Sequence, residues 1–66
     1  MKQRLVKTEV CRLISLAGGT IFFGVLYASL DFYCPESTIV DQRQAIKELM
    51  ADGYVCLDGW NKASFV

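Results

Sequence analysis

Residues 13–30 read LISLAGGTIFFGVLYASL, and the reading of this stretch decides the fold. No charged residue interrupts it between Arg12 and Asp31. At about 1.5 Å of rise per residue, one helix of that length reaches roughly 27 Å, close to the hydrocarbon thickness of a bilayer. Its polar side chains, Ser15, Thr20, Tyr27 and Ser29, fall on scattered faces, so such a helix has no wet side. A helix that is apolar all round must be buried everywhere, in a large core or in lipid. A chain of 66 residues offers little core to enclose it. The stretch is therefore expected to span a membrane.

A buried soluble helix and a cleaved signal peptide are the competing readings. The run is longer than the usual ~7–15 residues of a signal core, and its exit lacks a small-x-small site. Cutting after Ala28 leaves Leu26 three residues back, and cutting after Ser29 leaves Tyr27 there. Both are bulky where a small residue is wanted, so an uncleaved anchor is expected.

Charge falls unevenly around the run. Lys2, Arg4, Lys7 and Arg12 against Glu9 give a net +3 before it. Asp31, Glu36, Asp41, Glu48, Asp52 and Asp58 against Arg43, Lys47 and Lys62 give −3 after it. Cations next to a span stay cytoplasmic, which predicts an inside N-terminus and a periplasmic or extracellular C-terminus, as in a bacterial inner-membrane protein. On this reading the basic end serves topology, and no nucleic-acid partner is expected. Three regions follow: a cytoplasmic segment 1–12, a span 13–30 and an exported domain 31–66.

Within the span, Ala17, Thr20, Gly24 and Ala28 recur at helical spacing as a packing stripe, with Ser15 and Gly19 as a second pair. Close approach at small residues drives helix association in lipid. Tyr27, Phe32 and Tyr33 collect at the exit, where aromatic rings settle at a membrane interface. Cys11 reads as a small apolar residue near the headgroups.

Beyond Pro35, Thr38 followed by Asp41 has capping-box spacing, and residues 39–51 form an amphipathic pattern that Gly53 would end. Ile39, Ile46, Leu49 and Met50 share its apolar face. Tyr54, Val55, Cys56 and Leu57 have strand or core preference, and Asp58-Gly59 marks a tight turn. Cys34 and Cys56, both on the exported side, are expected to form a disulfide. Closing that loop would contribute about 3 to 3.5 kcal/mol by chain entropy. A bridge between copies and two free thiols are the alternatives. Trp60 and Phe65 either pack back or meet another surface.

The fold class expected is thus mainly α: a single transmembrane helix followed by a small exported, disulfide-closed domain with one amphipathic helix. No catalytic, metal or cofactor site is expected. The chain has no histidine, no glycine loop before a helix and no CxxC pair. Nor is a small-molecule substrate expected. The expected function is an accessory or inhibitory subunit of a larger membrane or periplasmic protein. Ile46, Leu49, Met50, Tyr54 and Trp60 are the partner-binding candidates. In layout the chain resembles small bacterial regulators that restrain sensor kinases, and also phage antiholins and superinfection-exclusion proteins. The resemblance lies in architecture alone and implies no residue roles. A self-associating, holin- or toxin-like membrane peptide is the alternative.

Overall fold

The first helix stops in the middle of the apolar run, where two consecutive glycines adopt backbone angles that other residues resist. The computed structural model describes residues 2–66, with side chains from residue 5 onward. Gly18 has φ +90° and Gly19 φ +101°. The Gly19 N–H donates to the Ile14 carbonyl at 2.9 Å and the Gly18 N–H to that of Ser15 at 3.1 Å. Those paired bonds are a Schellman C-cap, which needs a left-handed residue after the helix end. The apolar run is therefore divided three ways. It supplies the end of α1 (Lys2–Leu16), then strand β1 (Thr20–Phe22), then most of α2 (Phe23–Tyr33).

This overturns the transmembrane expectation. Among the described residues no helix is long and apolar enough to cross a membrane. The single-pass, inner-membrane and exported assignments fall with the span. The segment expected over 1–12 begins outside the described residues at Met1, and the rest of it belongs to α1. The disulfide is corrected too: Cys11, Cys34 and Cys56 are all free. Cys34 ends α2 and packs against the core, whereas Cys56 lies exposed on a strand.

The second half follows its pattern closely. Helix α3 runs Ile39–Ala51, and Thr38 and Asp41 form a reciprocal capping box. Gly53, at φ +83°, ends it with a second Schellman pair: Gly53 N–H to Met50 O at 3.1 Å and Tyr54 N–H to Leu49 O at 3.0 Å. Strands β2 (Val55–Asp58) and β3 (Lys62–Phe65) then form a hairpin. All pairing is antiparallel in the order β1-β3-β2, with Ile21 opposite Ala63 and Leu57 also opposite Ala63. Thus β1, drawn from the supposed span, becomes an edge strand beside the C-terminal strand.

One core joins these elements. Helix α1 contributes Val6, Val10, Leu13 and Ile14, β1 Ile21, and α2 Leu26 and Leu30. Ala45, Ile46 and Leu49 enter from α3, and Val55 and Ala63 from the hairpin. Lys7 pairs with Glu48 at 2.5 Å, linking α1 to α3, and Arg12 pairs with Glu9 within α1. The charge step along the sequence is thus partly met by pairing across the fold.

Candidate functional site

Helices α2 and α3 form a helix-turn-helix, and the β2–β3 hairpin follows it. With α1 and β1 in front, the chain reads helix, strand, two helices and a hairpin, with the sheet ordered β1-β3-β2. The turn between α2 and α3 is built from local polar bonds. The Ser37 N–H and its hydroxyl both donate to the Cys34 carbonyl, at 3.0 and 2.7 Å. Gln42, fully buried on α3, donates through Nε2 to Asp31 Oδ1 on α2 at 2.9 Å and to Ser37 Oγ at 3.1 Å. Its Oε1 has no partner among the described residues. One amide therefore ties both helices to the turn and fixes their relative setting.

That brace can be tested through charge. Gln42→Glu places a second carboxylate, buried, against Asp31. It is expected to cost about 2 kcal/mol at neutral pH. The introduced carboxyl then has a folded-state pKa above its unfolded value, so stability returns as pH falls and the acid regains a proton to donate. Thermal melts of the variant between pH 4 and pH 7 check this, and a variant as stable as the parent at both would contradict the brace.

With the turn fixed, α3 presents Val40, Arg43, Gln44 and Lys47 to solvent at i, i+3, i+4 and i+7, a single stripe. They border a groove completed by Phe23 and Tyr27 of α2 and by Ile46 and Met50 of α3. The groove lining holds two cations and no acid. Acidic groups near α3 are turned to other work. Asp41 caps the helix, and Glu48 reaches Lys7 and accepts from Gln44 Nε2 at 2.8 Å. The hydrogen bonds from Lys7 and then Gln44 pull the Glu48 carboxyl below its ordinary pKa, and Glu48 in turn raises Lys7.

The hairpin turn projects beside this unit, with Gly59 at φ +72° and Trp60 89 % exposed. Lys62 lies over the Phe22 ring at 4.9 Å. On the outer face of the sheet, Ser64 Oγ donates to Thr20 Oγ1 at 2.8 Å and approaches Asp58 Oδ2 at 3.3 Å. A separate cleft of about 260 Å³ between α1 and the α2–α3 turn is lined by Glu9, Tyr33 and Cys34, among others. Burial, with Glu9 and Glu36 nearby, pushes the Cys34 thiol up, and burial does the same to Cys11. Neither is poised as a thiolate.

The residues singled out by sequence scatter over this fold. Of the supposed stripe, Gly24 and Ala28 share the open face of α2, but Ala17 follows α1 and Thr20 lies on β1. Ile46 and Leu49 are buried in the core and Met50 packs against it. Tyr54 and Trp60 remain exposed. The stripe on α3 escaped sequence reasoning, although its spacing was legible, because the same residues fit the solvated back of any amphipathic helix. No family pattern, curated protein or solved structure matches the chain.

Proposed function

We propose that this chain is a small, non-catalytic regulatory module that binds a nucleic-acid duplex through α3. The observation that carries the reading is the outward stripe Val40, Arg43, Gln44 and Lys47 on the second helix of a braced helix-turn-helix, in a groove lined without acids. In helix-turn-helix proteins the second helix lies in the major groove, its first turns toward the base edges. The residue types suit that task. Arg reads guanine O6 and N7, Gln reads adenine N6 and N7, an apolar side chain meets the thymine methyl, and Lys holds phosphate. The sequence-based reason for excluding nucleic acid was that the basic N-terminus served membrane topology, and that reason lapses with the span.

Zero net charge sets the expected strength. Lys47, Lys62 and one or two further cations would release few counterions, so the salt slope should be shallow, about −2 to −4. Binding is best sought near 50 mM salt, using the fluorescence of the single tryptophan or anisotropy of a labelled duplex. Arg43→Ala is expected to weaken the preferred sequence about 5- to 150-fold and to relax its selectivity, the loss of one bidentate base contact. Lys47→Ala should weaken all sequences alike and flatten the salt slope by about one. Absence of duplex binding at low salt across a randomised pool would overturn the reading.

A second reading, an accessory or inhibitory subunit of a larger protein, is supported by Trp60 and Tyr54. Both are exposed aromatics of the kind that dominate protein interfaces. Under it, Trp60→Ala weakens partner capture while Arg43→Ala does not.

A further inference from the structure

We infer that two copies of this chain associate through the outer face of α2, packed antiparallel about Ala28. This rests on the α2 face alone and is independent of the duplex reading.

Helix α2 buries Leu26 and Leu30 and turns Gly24, Val25, Ala28 and Phe32 outward. Val25 is 53 % exposed, Phe32 76 % and the adjoining Tyr33 52 %. These residues line one shallow groove. With Tyr33 they form one contiguous exposed apolar patch, of the kind that marks an interaction site when a partner covers it. Phe32 is already positioned, edge-on to the Tyr33 ring at 4.9 Å, and Tyr33 is held under the Arg12 guanidinium at 4.8 Å from its centroid. Little ordering would be needed on docking.

The face is self-complementary. A two-fold interface brings residue i against j and j against i. Antiparallel pairing about Ala28 sets Gly24 of one copy opposite Phe32 of the other, twice, with Ala28 against itself at the centre. The largest outward side chain then meets the position with no side chain. Gly24 has no use inside one copy: a Cβ there meets nothing within 4 Å, and its φ is not positive. Alanine would fit and would favour the helix. A ring arriving from outside gives the missing side chain a purpose. Zero net charge leaves no overall repulsion between copies. One face of an 11-residue helix is well short of the ~20–30 residues a side of a standard interface, so a reversible dimer of modest affinity is expected rather than an obligate one.

Sedimentation equilibrium without nucleic acid, from about 1 μM to 1 mM, provides the test over the range of modest affinities. The parent chain should show a reversible monomer–dimer equilibrium. Ala28→Asp and Ala28→Lys, each alone, should weaken it at least about tenfold, because like charges meet on the axis. An equimolar mixture of the two should regain it. Phe32→Ser, at an exposed position, should lose the dimer with its circular dichroism unchanged. A parent that stays monomeric throughout, a dimer indifferent to these substitutions, or a mixture that fails to recover would each overturn the inference. A monomer that instead binds neutral lipid vesicles would overturn it too and assign the face to a membrane surface. Failure here leaves duplex binding intact, and failure of duplex binding leaves this association intact.

Discussion

Replacing Gly18 and Gly19 together by alanine is expected to abolish the cooperative unfolding transition at ordinary temperatures. Both residues hold positive φ, where a Cβ costs roughly 1–2 kcal/mol at each position. The combined loss of about 2–4 kcal/mol compares with the ~3–5 kcal/mol that a core of this size supplies. Alanine also favours continuation of α1 into the following residues, which would pull β1 away from β3. Thermal melts should therefore lose their sigmoid while helical ellipticity persists or increases. Gly24→Ala is the control, since that position is helical and open within one copy, and in dilute, monomeric protein it should leave the melt unchanged or raise it slightly. A continuous apolar helix would tolerate all three substitutions equally. A double variant as stable as the parent would contradict the break at Gly18-Gly19.

Adjacent residues on α2 should differ as sharply. Leu26 is fully buried, while its neighbour Val25 is 53 % exposed. Leu26→Asp loses more than the about 2–5 kcal/mol of a buried Leu→Ala change, because it also buries a charge. That exceeds the stability available, and the variant should be unfolded by circular dichroism. Val25→Asp should change stability by no more than about 0.5 kcal/mol, as at other exposed sites. An acid in the first turn of α2 is even favoured by the helix dipole. Had residues 13–30 crossed a bilayer, the two substitutions would stand at nearly equal depth and be nearly equally costly. Urea titration of both variants separates the cases.

Much of the second half was legible in the sequence because its signals are local. Thr38 with Asp41 fixes one end of α3 and Gly53 the other, and both devices satisfy backbone groups within a few residues. The run beginning at Tyr54 and the turn at Asp58-Gly59 mark β2 and its end in the same way. The first half misled for a physical reason. Average apolarity over residues 13–30 outweighed a helix-stop signal lying inside it, the glycine pair, and the β-prone Thr20-Ile21-Phe22 that follows.

A small core also proved sufficient once the run was divided. Ile14, Ile21, Leu26 and Leu30 approach it from three elements, while Leu16, Phe22, Val25 and Phe32 remain outside. The disulfide expectation inherited its oxidising compartment from the span. The candidate site was hidden differently. Val40, Arg43, Gln44 and Lys47 are visible as a helical stripe, but their meaning depends on α2 being the preceding helix. That depends on the break at Gly18-Gly19. The bond from Gln42 to Asp31 that sets the two helices runs between different helices across the turn, where no local helix signal reveals it.

The break in the apolar run underlies both the core and the helix-turn-helix, and nuclear Overhauser contacts across β1 and β3 test it most directly. The fold predicts cross-strand contacts between Ile21 and Ala63 and between Thr20 and Ser64, with helical contacts absent over Gly18–Phe22. Sequential helical contacts running without interruption from Leu13 to Leu30, and none reaching Ala63 or Ser64, would contradict it.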